Sequence, residues 1–163
     1  MATNIKYDSH MSDLRQYRKI ALQKLYNSSK INDLISSVDP NSPSGKDLVF
    51  TNIFPYAFVP DTTTSAKLFI TMDVTIPKIK TRTYKGLILT LYIFAHQDIL
   101  KYKDGLLCDL IAEEVDTLFG GSGDFGTGML ELSTVTDFSP VSRFYGVVVQ
   151  YEAEEFNRPA KMK

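Results

Sequence analysis

The first regular pattern along the chain is an apolar stripe near its N-terminus. Apolar residues recur at spacings of three and four from Leu14 through Ala21 to Tyr26, with polar residues between them. This period predicts an amphipathic helix whose apolar side packs on a core. The polar tract 27–29 weakens that helix, and a shorter helix is expected over residues 31–35.

Four later stretches have the patterns of β-strands. Residues 70–76 alternate strictly between apolar and polar, which predicts a half-buried strand in an antiparallel sheet. Residues 87–95 are apolar at nearly every position, as expected for a central strand that is covered on both faces. Residues 130–133 and 147–152 alternate again and predict two strands near the C-terminus.

A second long helix is predicted between these strands. Apolar positions from Leu107 to Phe119 form one stripe, and Gly120 and Gly121 can end the helix in a left-handed conformation. Short connections between successive strands favour antiparallel hairpins. The sequence therefore predicts a single α+β domain over residues 1–163. Its sheet would be mainly antiparallel, with about four to five strands, a long N-terminal helix and a second helix packed on it.

Composition and charge narrow the class of protein. The chain is 44% hydrophobic and 23% charged, which is ordinary for a globular protein, and its net charge of −1 lacks the basic excess of a nucleic-acid binder. Its single cysteine, Cys108, excludes an intramolecular disulfide and a multi-cysteine zinc site. Without a signal peptide or a membrane-length apolar stretch, we expect synthesis in the host cytoplasm, no membrane association, and a frayed tail from about residue 157.

Candidate catalytic groups do not form a recognisable motif. His96 and Asp98 could form a general-base pair, but no Ser or Cys nucleophile motif accompanies them. Glu113, Glu114 and Asp116 could bind a hard cation, but adjacent helical residues diverge by about 100° and these lie opposite the apolar stripe. We therefore expect no enzyme and no catalytic, metal or cofactor site. A small metal-dependent hydrolase using His96, Asp98 and Glu114 is the enzymatic alternative.

Two aromatic segments are candidates for contact with another subunit. Residues 53–60 contain three aromatic residues, Phe54, Tyr56 and Phe58, and the prolines of this segment exclude a regular central strand. This segment either folds onto the domain's own core or packs against a partner, since aromatic residues are enriched in interface cores. The glycine-rich stretch 120–128 follows a helix and precedes a strand, which is the wrong order for a phosphate-binding loop. Its Phe125 would instead anchor the loop on the core or on a partner.

A family resemblance covers roughly the last two-thirds of the chain. Residues 92–98, 115–121 and 124–132, together with the later stretches 138–140, 145–146 and 151–157, resemble the small tail-terminator or tail-completion proteins of long-tailed bacteriophages. The resemblance implies a virion structural protein whose homo-hexameric ring caps the tail tube, stops its polymerisation and docks on the head connector. It implies no catalytic residues.

The resemblance also defines the expected partners. These are further copies of the chain, the tail tube protein and a head connector or neck protein, with DNA only as passing cargo in the lumen of the ring. A local basic group could face that DNA, namely Lys78, Lys80, Arg82 and Lys85. The alternatives in neighbouring classes are another head–tail connector or neck protein, a tail-tube protein, and a generic protein-binding module.

Overall fold

Two helices begin the structure. The computed structural model describes residues 10–62, 64–77, 84–125 and 128–156. Helix α1 spans His10–Asn27 and buries Tyr17, Ala21 and Leu25, which confirms the predicted stripe. Helix α2, Ser29–Val38, follows after one residue, because the Ser28 hydroxyl accepts a hydrogen bond from the Ile31 backbone N–H and caps the new helix.

A five-stranded sheet forms the centre of the molecule, in the order β1-β2-β3-β7-β6. Antiparallel pairs join β2 to β3, β3 to β7 and β7 to β6, whereas β1 pairs with β2 in parallel. The α+β class and the mainly antiparallel sheet are therefore confirmed. The strands are β1 Ile53–Phe54, β2 Leu68–Thr75, β3 Tyr84–His96, β6 Glu131–Phe138 and β7 Phe144–Phe156.

Three short elements and a second long helix connect the strands. Helix α3, Gln97–Leu100, and the small hairpin of β4, Lys101–Tyr102, and β5, Gly105–Leu106, lead into α4, Leu107–Phe119. Helix α4 packs over β3 and β7 and also contacts α1 and α2. Its apolar side is buried as predicted from its stripe.

The segment between α2 and β2 has little regular structure. It contains a 3-10 helix, Gly45–Leu48, and only the two-residue strand β1 follows. The Asn52 side chain donates a hydrogen bond to the Leu68 carbonyl, and the Ile70 N–H bonds to the Asn52 carbonyl. These bonds hold the segment beside β2, although its backbone is mostly irregular.

The two faces of the sheet are covered differently. The helices cover one face, where β2, β3 and β7 contribute fully or nearly fully buried apolar residues such as Ile70, Leu91 and Tyr151. We call this the helix face. On the opposite face, which we call the aromatic face, a buried cluster occupies one end of the sheet and consists of Phe54, Phe69, Phe94 and Phe144.

Candidate functional site

Strand β6 is exposed at one edge of the sheet. Leu132 pairs with Tyr151 and Val135 pairs with Val149, and directly paired residues share a face, so both apolar side chains lie on the helix face. Yet Leu132 is 49% and Val135 53% exposed. The sheet thus ends in an uncovered apolar strip that an isolated domain does not need.

The sequence of β6 lacks two of the features that usually protect an edge strand from pairing with another chain. Edge strands are usually guarded by lysine, proline or an irregular backbone, and β6 contains no lysine and no proline. A shift in register between Leu132 and Thr134 marks a bulge, after which Thr134 to Phe138 pair regularly with β7. The charged residues of β6 are both acidic, Glu131 and Asp137. We call Leu132, Val135 and Asp137, which share the helix face, the β6 strip.

A shallow cleft continues from this strip toward the start of α4. It has a volume of about 410 Å³. Asp137, Leu106 and Tyr145 are among its lining residues, and the latter two are exposed apolar or aromatic side chains. Cys108 lies at its base, with its thiol 3.5 Å from the Tyr145 carbonyl oxygen. Burial, and secondarily the charge of Asp109, raises the pKa of Cys108 to about 12, so the thiol is not a nucleophile at neutral pH.

The opposite edge of the sheet carries an exposed aromatic residue, Phe50. Its side chain is 63% exposed and its φ is 66°, in the left-handed region that a bulky residue rarely adopts. A backbone hydrogen bond from the Phe50 N–H to the Ile53 carbonyl, 2.8 Å long, holds this conformation. The ring lies 6.4 Å from the Phe54 ring and 6.5 Å from the Tyr56 ring. The fold therefore holds an apolar ring in solvent at a conformational cost.

Phe50 also borders a groove of about 590 Å³ between α1 and the 3-10 helix. The groove combines apolar side chains with two lysines and one aspartate. We call it the α1 groove, and its lining residues are Lys19, Leu22, Gln23, Tyr26, Lys46, Asp47, Val49 and Phe50.

The predicted aromatic segment divides between core and surface. Phe54 is buried, and the half-buried Phe58 stacks on it with ring centroids 4.0 Å apart. Tyr56 is exposed beside Phe50. Phe54 and Phe58 therefore fold onto the domain's own core and cover the aromatic face, and packing of the exposed Tyr56 against a partner stays a prediction.

Phe125 is completely buried in the domain's own core. Its ring lies 5.9 Å from the Phe119 ring and 6.2 Å from the Tyr17 ring. An ion pair of 2.8 Å between Lys24 and Asp124 ties the same loop to α1, and hydrogen bonding from Lys24 and Ser122 lowers the pKa of Asp124. In this structure Phe125 anchors the loop on the core and is not accessible to a partner.

His96 and Asp98 have a structural role at the end of β3. The His96 Nδ1 accepts a hydrogen bond from the Asp98 backbone N–H at 3.3 Å, which caps α3, and lies 3.3 Å from the Asp98 carboxylate. The imidazole is buried against Phe144 at a ring distance of 5.2 Å. This arrangement agrees with a polar strand end.

Two acidic residues of α4, Glu114 and Asp116, are each held by a different partner. Glu114 accepts a hydrogen bond from the Ser28 hydroxyl at 2.8 Å, and Asp116 accepts one from the buried Tyr151 hydroxyl at 2.8 Å. That bond is the second cause, after burial, of the raised pKa of Tyr151. Among residues 10–62, 64–77, 84–125 and 128–156, no three His, Cys, Asp or Glu side chains form a group able to hold a metal ion.

The predicted DNA-facing residues lie largely outside the described part of the chain. Lys78, Lys80 and Arg82 are not among the described residues, and for Lys85 only the backbone, within β3, is described. Within the described residues, no helix is long and apolar enough to cross a membrane.

The two exposed edges were missed by sequence reasoning. The alternation over residues 130–133 predicted a strand, but β6 runs on to Phe138 and is exposed along almost all of its length. The absence of lysine and proline from β6 is a signal that could have identified an edge open to a partner. For Phe50 we find no such signal, because its left-handed backbone and its exposure follow from tertiary contacts.

The fold and these surfaces define an α+β protein whose distinctive features are two exposed apolar edges of one sheet. The chain belongs to the YomW family, whose model matches residues 22–153, from the middle of α1 to near the end of β7. No curated protein matches the chain.

Proposed function

We propose that this chain is a structural virion protein that forms a homo-oligomeric ring at the end of a phage tail. The ring caps the tail tube, ends its polymerisation and joins it to the head connector. The observation that carries the proposal is β6, an edge strand without lysine or proline that exposes Leu132 and Val135 at one end of the sheet. Membership in the YomW family hints at a phage-related protein and supports this setting.

A non-catalytic role is part of the proposal. The side chains of the hydrolase alternative have structural partners, since His96 caps α3 and Glu114 binds the Ser28 hydroxyl. An assembly protein needs faces for its neighbours, and both edges of the sheet offer exposed apolar side chains. Ring formation by contacts between unlike faces also suits a chain of net charge −1, which has little self-repulsion.

The first test of this proposal concerns the oligomer. Native mass spectrometry and negative-stain images of the purified protein should show closed rings, with six copies as the expected number. A protein that stays monomeric at all concentrations and does not bind purified tail tubes would contradict the proposal.

The second test concerns the place of the protein in the particle. In a phage that carries the gene, its inactivation should give tails of irregular length that fail to join heads. Normal tails with unattached heads would favour another connector or neck protein, and complete absence of tail tubes would favour a tube protein. Peptides of the chain should be present in purified virions by mass spectrometry.

A further inference from the structure

The proposed ring requires two different surfaces that fit each other. A closed ring of more than two identical subunits is built from head-to-tail contacts, in which one patch of each copy meets another patch of the next copy. Here the sheet has β1 at one edge and β6 at the other, and each edge carries exposed apolar side chains. The inference that these two edges meet rests on the proposed ring.

Pairing of β6 with β6 of a second copy is disfavoured by charge. Each copy of β6 carries two carboxylates, Glu131 and Asp137, and no cation, so such a contact brings four negative charges together. Juxtaposed like charges disfavour association. The acidic ends of β6 therefore favour a partner surface that carries cations.

The α1 groove has the required chemistry at the opposite edge. Leu22, Tyr26 and Phe50 provide apolar surface, and Lys19 and Lys46 provide exposed cations. The β6 strip presents the complement, with Leu132 and Val135 for the apolar surface and Asp137 for a lysine. The strip side chains lie on the helix face of the sheet, and the groove is bordered by α1, which packs on that same face.

We propose that the α1 groove of one copy receives the β6 strip of the next copy. Leu132 and Val135 pack against Phe50, Leu22 and Tyr26, and Asp137 pairs with Lys46 or Lys19. This contact explains why the fold holds Phe50 exposed in a left-handed conformation, because the ring becomes buried on assembly.

Two surface variants test the proposed contact by mixing. Phe50→Ser removes the groove's apolar ring and leaves the β6 strip intact, whereas Val135→Ser damages the strip and leaves the groove intact. Each variant alone should lose rings, with association weakened by about tenfold or more. An equimolar mixture should form 1:1 dimers, because one intact groove then meets one intact strip. Sedimentation velocity or native mass spectrometry gives the masses.

A charge exchange provides an independent second test. Lys46→Glu and Asp137→Lys should each weaken the ring, and the double variant should recover part of the loss if the two side chains meet or lie near each other. Val59→Ser, at a similarly exposed residue (60%) outside the groove, and Lys103→Glu are matched controls that should assemble normally. Circular dichroism and the melting temperature establish that every variant folds.

The outcomes separate this contact from the proposed function. If wild-type protein forms rings and Phe50→Ser or Val135→Ser forms the same rings, the contact is wrong while the ring stands. If Phe50→Ser alone still forms dimers that Val135→Ser cannot form, β6 pairs with β6 and the contact is again wrong. A wild-type protein that never associates overturns both.

Discussion

The two faces of the sheet differ in how much of their surface is buried, and this difference separates residues that stabilise the domain from residues that are exposed for contacts. On the helix face, β2, β3 and β7 meet α1, α2 and α4 in a continuous buried core. On the aromatic face, burial is confined to the cluster around Phe54, Phe69, Phe94 and Phe144, and the other end carries Asp73 and Glu152, which are exposed. On the helix face the described side chains of β2 and β3 are all buried, whereas on β7 Val147 is half-buried and Tyr145 is exposed, so exposure begins one strand before the edge strand β6.

This difference indicates where a substitution should unfold the protein and where it should change only its contacts. Removing a buried side chain costs its transfer free energy plus the cavity that it leaves, whereas an exposed position costs little. The helix face and the closest backbone contacts should therefore carry the stability. The exposed side chains at the sheet edges should be free to serve assembly.

The largest effect is expected at Gly146, where β7 approaches β3 most closely. A β-carbon at this position would overlap the carbonyl oxygen of Ile93 and lie 2.6 Å from the Phe94 Cα. Both are backbone atoms, so the two central strands would have to separate. Gly146→Ala should destabilise the domain by more than about 4 kcal/mol or prevent soluble expression, as measured by urea unfolding.

Gly105→Ala is the matched control for this substitution. A β-carbon there would meet nothing within 4 Å, so its free energy of unfolding should change by less than about 0.5 kcal/mol. Equal stability of Gly146→Ala and the wild type would show that the strands are farther apart than described. The close approach of β7 to β3 would then not contribute to the stability at the centre of the sheet.

Neighbouring residues of β3 compare the two faces directly. Leu91 is completely buried on the helix face, and Thr90 is half-buried on the other face. Leu91→Ala should lower the free energy of unfolding by about 3 kcal/mol, because it leaves a cavity under the helices. Thr90→Ala should cost less than about 1 kcal/mol in the same denaturant titration. Similar losses at both positions would contradict the division between the faces.

Much of this fold is predictable from the chain, because regular patterns report burial. The stripes of α1 and α4 and the alternation in β2 and β7 predicted elements that the structure contains. The parallel pairing of Ile53 with Ile70 was beyond reach, since it depends on hydrogen bonds across a long, irregular loop.

The candidate surfaces were less predictable than the fold. An aromatic residue can be buried or exposed, and only the packed structure separates Phe54 and Phe125, which are buried, from Phe50 and Tyr56, which are exposed. Strict alternation would place Leu132 and Val135 on opposite faces, and only the bulge between Leu132 and Thr134 brings both side chains to the helix face. Exposure at an edge depends on which elements pack over the whole sheet, and a local sequence pattern does not report this.

A smaller effect on stability depends on pH and involves one titrating group on each side of the sheet. Burial raises the pKa of Cys108, on the helix side, from 9.0 to about 12. As pH rises, the thiol ionises in the unfolded chain before it ionises in the folded protein. The stabilising contribution of Cys108 is therefore complete below pH 9.0 and is lost as pH rises toward about 12. Cys108→Ala should be less stable than wild type by about 1 kcal/mol at pH 7. The variant should lack this loss of stability at alkaline pH. Plots of the free energy of unfolding against pH for the variant and the wild type should therefore cross near about pH 10.

Tyr92 on the aromatic face provides the weaker counterpart. Its pKa is also raised, by burial first and then by the charge of Asp73, but its side chain is only half-buried. An unfolded tyrosine ionises near about pH 10, so Tyr92→Phe should differ from wild type in its pH slope only above that value. Urea titrations from pH 7 to 11 measure both variants. A larger slope change for Tyr92→Phe than for Cys108→Ala would mean that the aromatic face excludes water better than the helix face, which would reverse the comparison.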